Sequence, residues 1–152
     1  MHLVLVEQEI PANTGNVART CAVTGAELHL VKPLGFFVDD KRLKRAGLDY
    51  WHLLTIHYHD NLEEILETYT GNSFHFATTK GKKLYTEVAY GPNDFLVFGK
   101  ETAGLPAHII NTYQESCMRI PMINNARSLN LSNSVAIVLF EALRQNNFCG
   151  LG

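Results

Sequence analysis

Three short segments hold residue types that could do chemistry together. The first is Asn13-Thr14-Gly15-Asn16-Val17-Ala18-Arg19. It stands where a strand gives way to a helix, and free backbone N–H groups at such a point favour an anion. Asn16 and Arg19 fall on neighbouring helical positions, and the planar fork of an arginine suits a phosphate. The second segment runs from Leu96 to Pro106. It reads as a buried strand ending at Gly99, where a ligand can approach the backbone closely. Glu101 follows at once, free to face solvent, to pair with Arg19 or to accept from the chain's own N–H groups. The third segment runs from Ile120 to Asn133. Its asparagines and serines are set among Leu129 and Leu131, a mixture that points to a loop held inside the fold with its backbone satisfied by side chains. That mixture also suits an adenosine, apolar on its faces and polar at its edges. Neither the P-loop nor the dinucleotide-binding glycine pattern occurs in the chain.

The elements that must position these segments follow from hydrophobic periodicity. Strands are expected at His2–Val6, Glu27–Val31, Thr55–His59, Ser73–Thr78, Asp94–Phe98 and Cys117–Ile120. Helices are expected from Asn16 to Thr24, from an Asp39 cap through Arg45, from an Asp60 cap to Tyr69, from Pro106 to Tyr113 and from Ser132 to Gln145. The alternation implies an α/β fold of Rossmann-like type, with a mostly parallel sheet flanked by helices on both faces. Ligands of such sheets bind beyond the carboxyl ends of the strands. The loops after Val6, Thr78, Phe98 and Ile120 are therefore the places to look. The last helix is apolar around most of its circumference, which calls for burial on several sides, part of it against a second subunit.

Composition narrows the class. The 152 residues, 46% hydrophobic and 18% charged, suit one domain spanning 1–152 with one core, and not wholesale disorder. A formal charge of −2 argues against a surface that grips nucleic acid everywhere. Basic residues do cluster at Lys41, Arg42, Lys44 and Arg45, and more weakly at Lys80, Lys82 and Lys83. The 3 cysteines, Cys21, Cys117 and Cys149, lack any C-x-x-C spacing and read as free thiols in a reducing, cytoplasmic setting. No apolar run nears the roughly 20 residues that cross a bilayer, and the opening MHLVLVEQEIP reads as a first strand rather than a signal. No membrane partner is expected. His57 and His59 share one face of a strand, but without a third ligand they read as two surface histidines.

In this order and spacing, N-x-G-N-x-x-R from Asn13, L-V-x-G-x-E-x-x-G-L from Leu96, and I-P-M from Ile120 followed by S-L-N-L-S-N-S-V-A from Ser128 resemble the SPOUT methyltransferases. Within them the chain is similar to the SpoU-type RNA ribose 2′-O-methyltransferases, from near residue 3 to about Arg144. The stretches PLGF, DDKRLKRAGLDY and TTKG resemble more closely still the minimal subfamily that methylates the wobble ribose of tRNA, with no separate RNA-binding domain.

The resemblance implies a C-terminal deep trefoil knot that binds S-adenosylmethionine and releases S-adenosylhomocysteine. The cofactor would touch Ala77, Thr78, Gly99, Ile120, Met122, Ser128 and Leu129. It implies a homodimer with the active site at the subunit interface. Arg19 matches an arginine held essential in the family. A guanidinium is a permanent cation and a poor base, so its expected part is to bind the RNA phosphate and to stabilise charge as the hydroxyl loses its proton. Asn13 and Glu101, with Ser128 and Asn130, would orient the reacting groups. Lys41, Arg42, Arg45 and Asn130 would meet the tRNA. No metal is expected, since a sulfonium methyl is already activated. The implied reaction is transfer to the wobble cytidine or a modified uridine. The same chemistry on ribosomal RNA, or a binding protein without catalysis, are the alternatives.

Overall fold

Alternating apolar runs become strands in the computed structural model, which describes residues 1–37, 45 and 48–152. The strands are β1 (His2–Val6), β2 (Glu27–Val31), β3 (Ile56–His59), β4 (Phe74–Ala77), β5 (Lys83–Leu84), β6 (Phe95–Phe98) and β7 (Cys117–Arg119). The helices are α1 (Pro11–Thr24), α2 (Leu62–Thr68), α3 (Ala107–Thr112) and α4 (Leu131–Gln145). The sheet order is β3-β2-β1-β6-β4-β7-β5, and every pairing is parallel. The chain runs outward from β1 to β3 on one side, then returns to build the other side from β4 and β6. The carboxyl ends of β1 and β6 thus flank the point where the strand order switches, the usual place for a ligand crevice.

Side chains alternate across the sheet and build a core on each face. Leu3, Leu5, Leu28, Leu30, Leu96 and Phe98 meet Val17 and Cys21 of α1 and Val135, Val138 and Leu139 of α4. On the other face Val4, Val6, Val31, Phe76, Phe95 and Val97 meet Leu62 and Ile65 of α2 and Ile109 of α3. β1 and β6 lie deepest, so both faces of each are apolar.

The expected elements form, with shifts at their ends. α1 begins at Pro11 rather than Asn16, because proline is preset for the first helical position. α2 is capped by Asn61, whose side chain accepts from the Glu64 N–H at 2.9 Å, so Asp60 stands outside the helix. β5 was not expected; it has two residues, too few for a periodic signal. The helix expected from Asp39 lies outside the described residues, except for Arg45, which is exposed. α4 buries Val135, Val138, Leu139, Ala142 and Leu143 but leaves Ile137 36% and Phe140 46% exposed. Among the described residues no helix is long and apolar enough to cross a membrane.

The reading of His57 and His59 as surface residues is corrected. His59 is buried and its Nε2 lies 3.0 Å from Nδ1 of the fully buried His29. His29 Nε2 in turn lies 3.1 Å from His2 Nδ1. His57, half-buried, stacks on His29 with ring centres 4.5 Å apart. The sequence hid this row because His2 and His29 come from other strands, joined only by register.

Burial first, then the neighbouring imidazoles of His57, His2 and His59, push the His29 ring down from 6.5 to about 3. Above pH 6.5 the ring is neutral in the folded and unfolded chain alike, and its contribution is complete. Below that, the unfolded chain takes up a proton that the folded chain refuses, so stability falls. The thermal midpoint is expected to drop as pH goes from 6.5 toward 3, and the drop is expected to be shallower in His29→Gln. Equal slopes in the two proteins would refute the assignment.

Candidate functional site

At the end of β1 the chain turns sharply, and Glu7 adopts a left-handed φ of 53°, uncommon for a residue with a side chain. Gln8 follows, fully buried, with Nε2 donating to the carbonyls of Val6 and Gly99, each at 3.1 Å. That amide ties the carboxyl ends of β1 and β6 together. A Cβ on Gly99 would lie 2.1 Å from the carbonyl carbon of Gly104, so only glycine fits there. The turn closes where the Gly104 N–H donates to the Lys100 carbonyl at 2.9 Å, with Gly104 at φ +69°.

This turn aims Glu101 at the start of α1. Its carboxylate accepts from the N–H of Glu9 at 2.9 Å, the N–H of Ile10 at 3.1 Å and Asn13 Nδ2 at 3.3 Å. Of the three roles open to Glu101, the structure takes the chain's own N–H groups. The expectation of free N–H groups along Asn13–Arg19 is corrected at the same point: the helix starts at Pro11, so that segment is already hydrogen-bonded inside it. The anion at the amino end of α1 is Glu101, where the helix dipole favours it.

Asn13 carries the network on. Its Oδ1 accepts from Asn130 Nδ2 at 3.0 Å, and Asn130 Oδ1 caps α4 by accepting from the Ser132 N–H at 2.9 Å. The three segments singled out in the sequence thus meet through Glu101, Asn13 and Asn130.

Around them opens a cleft of about 980 Å³ at the carboxyl edge of the sheet. Ala77, Thr78, Gly99, Ile120, Met122, Ser128 and Leu129 all line it, as do Asn13, Glu101 and Asn130. Its floor is tightly built: the Thr78 N–H donates to the Met118 carbonyl at 2.9 Å, and a Cβ on Gly81 would lie 2.5 Å from the carbonyl carbon of Met118. The loop expected to be held inside is not buried in this chain. Residues 123–130 are exposed, Ile123 by 84% and Leu129 by 39%, because the loop forms the outer wall of an open cleft. Leu131, half-buried, does pack against the core.

Other expected residues stand apart. Arg19 is exposed and does not line the cleft; its guanidinium sits over the Tyr50 ring, 4.9 Å from the centre. Lys41 and Arg42 lie outside the described residues. Lys80 does line the cleft. Sequence reasoning missed Gln8, whose place becomes apparent only when β1 and β6 are paired, and Tyr85, which reaches the cleft from a short turn after β5.

The cleft's chemistry is that of a binding site. Among the described residues its carboxylates are Glu7, whose Oε2 accepts from Lys100 Nζ at 3.2 Å, and the engaged Glu101. Among the described residues no histidine or cysteine lines it. Lys80, Arg119 and Arg127 add positive charge. Cys21, fully buried, has its thiol pushed up to about 12 by that burial, and burial raises Cys117 as well, so neither is a ready nucleophile.

Comparison with known proteins agrees with this arrangement. Residues 1–140 match the family described as SpoU rRNA methylase. A protein of Photorhabdus asymbiotica named tRNA (cytidine(34)-2′-O)-methyltransferase is 51% identical over 156 residues, covering 99% of this chain and 96% of that one. A solved structure described under 2-OH methylation of C/U34 on tRNA superposes with a TM-score of 0.92 at 41% identity, covering 96% of this chain and 95% of that one. An AdoMet-bound rRNA methyltransferase from Sinorhizobium meliloti superposes with a TM-score of 0.83 at 27% identity, covering 94% of this chain and 55% of that one.

Glu101→Ala removes three acceptor contacts at once. It is expected to destabilise the fold by about 1–3 kcal/mol in urea unfolding, and Glu101→Gln, which keeps one oxygen, by less. A Glu101→Ala protein as stable as the parent would show that the carboxylate does not hold the site together.

Proposed function

Because the chain belongs to the SpoU family of RNA methylases, we propose that it methylates the ribose 2′-hydroxyl of the wobble nucleotide of tRNA, a cytidine or a modified uridine, using S-adenosylmethionine. The observation that carries this reading is the cleft. The residues expected at the cofactor converge there although they come from the ends of β4, β6 and β7 and from the loop before α4. Half of the named relative's sequence is shared over nearly the full length of both chains, which supports the same substrate.

The cleft fits an adenosine-bearing cofactor. Leu105, Ile120, Met122 and Leu129 supply apolar walls for the faces of a base, while Ser128, Asn130 and the ends of the strands supply polar edges. Its volume lies within the range of about 300–1,000 Å³ usual for such sites. The cofactor, when bound, supplies a methyl group on a sulfonium, ready for transfer without a metal. The loops after Ala77, Gly99 and Ile120 form a trefoil knot around it in this reading. Support comes from the close seating of Gly81, in the loop after Ala77, on Met118 of β7, although chains that thread themselves are rare.

The chain's own part is to bind and to orient. Glu101 and Asn13 are positioning residues: they hold the amino ends of α1 and α4 in register, and with them Asn130. Arg19, with Lys41, Arg42, Lys44 and Arg45 as further cations, holds the RNA phosphate. Its fixed charge also offsets the negative charge that grows as the hydroxyl loses its proton to water.

Arg19 stands outside the cleft of its own chain, which a homodimer with the site at the interface would account for. Ile137 and Phe140 of α4 and Val23 of α1 are exposed apolar residues on the two helices that share one face of the sheet, and a second copy would cover them. A cytoplasmic location accords with this substrate.

Incubation with radiolabelled S-adenosylmethionine and total tRNA is expected to label a wobble ribose, and ribosomal RNA is expected to stay unlabelled. Measurable cofactor binding with no transfer to tRNA overturns the reading. Arg19→Ala is expected to abolish transfer while leaving cofactor affinity within about threefold, less than 1 kcal/mol. A parallel loss of cofactor binding would move Arg19 to the cofactor side. In light scattering, Phe140→Glu is expected to convert a dimer into monomers and to lose transfer; an unchanged mass would remove α4 from the interface.

A further inference from the structure

A second cluster of side chains lies away from the cleft, on the sheet face covered by α2. His2 and Glu27 are the first residues of β1 and β2, and parallel register sets them side by side. His29 stands two residues further along β2, on the same face. His2 Nδ1 lies 3.1 Å from His29 Nε2 and 3.9 Å from Glu27 Oε2. One ligand atom from each of the three residues lies within 4.8 Å of the other two.

We propose that His2, Glu27 and His29 form a binding site for a divalent metal ion of zinc's class. Two imidazoles and one carboxylate are a usual donor set for such an ion, with water in the fourth position. Tetrahedral donors at bonds of about 2.0–2.1 Å stand roughly 3.3 Å apart. The three atoms therefore need only small side-chain adjustments to close on a metal.

The surroundings support each ligand as a metal centre requires. Behind His29, Nδ1 is engaged by His59 Nε2 at 3.0 Å, which leaves Nε2 facing the site. His59 Nδ1 is itself buried with no hydrogen-bond partner and lies 3.5 Å from Glu64 Oε1. A small movement of Glu64 would complete a carboxylate–histidine–histidine relay. Behind Glu27, His57 Nε2 lies 2.7 Å from Oε2 and fixes the carboxylate. His2 is held flat against the Phe95 ring, with centres 4.2 Å apart and planes 6° from parallel.

Metal ligation requires neutral imidazoles, and burial lowers both His2 and His29 from their ordinary values. The site is reachable, because Glu27 is 42% exposed while His29 is fully buried. A metal here would clamp β1 to β2 at the end remote from the cleft and would stabilise the fold by mass action.

The test uses the untagged full chain at about pH 7.5. Zn²⁺ titrated in a calorimeter is expected to bind at one equivalent per chain and to raise the melting temperature, and Co²⁺ is expected to give the intense visible bands of a tetrahedral ion. His2→Gln and Glu27→Gln, each checked by circular dichroism, are expected to lose the bands. His59→Gln, which removes only the outer support, is expected to weaken binding about 10–100-fold. Cys149→Ser and His108→Gln, which alter exposed donors elsewhere, are expected to bind as the parent does. No Zn²⁺ binding by the parent chain overturns the proposal, as does undiminished binding by folded His2→Gln and Glu27→Gln, or loss of binding in either control.

Discussion

The Glu101 carboxylate, accepting from Glu9, Ile10 and Asn13, is the interaction on which the arrangement of the site depends. A helix begins with unpaired N–H groups and a partial positive charge. Here a loop some 90 residues away in sequence satisfies the approach to α1 with a full negative charge. Asn13 then passes the connection to Asn130 and so to the start of α4. Three segments that are separate in the chain become one rigid rim, and the loop before α4 hangs from it as the open wall of the cleft.

The rim also explains why the cleft has so little reactive chemistry of its own. Its acidic residues are already engaged in holding backbone or Lys100. A site that aligns an activated methyl donor with a ribose hydroxyl needs geometry and positive charge more than it needs a titrating base. The tight glycine contacts at Gly81 and Gly99 serve that geometry by letting backbone approach backbone. A row of histidines stands elsewhere, across β1, β2 and β3, where burial lowers His2 and His29 from their ordinary values.

Much of the fold was legible in the sequence, for identifiable reasons. The apolar runs at His2–Val6, Glu27–Val31 and Phe95–Phe98 are long and strongly patterned, and they become the central strands. Gly25, at φ +72°, closes α1 after Thr24, the end expected for that helix. The ends of elements were less legible. The helix expected from Asn16 begins at Pro11, whose ring presets the first helical position. β5 and the short turns after it carry too few residues to show a period.

Residue types and spacing alone determined that the chain alternates strand and helix and that a ligand belongs beyond the carboxyl ends of the strands; the set of residues expected at the cofactor came from the family resemblance. These are local or pattern properties, carried by side chains close together in sequence. Only the tertiary structure decided what Glu101 binds, that Leu129 is exposed on an open wall, that Arg19 stands outside the cleft, and that four histidines gather on one face. Each of these depends on which strands become neighbours and in what register. Parallel pairing brings together residues tens of positions apart, and no local pattern records that choice.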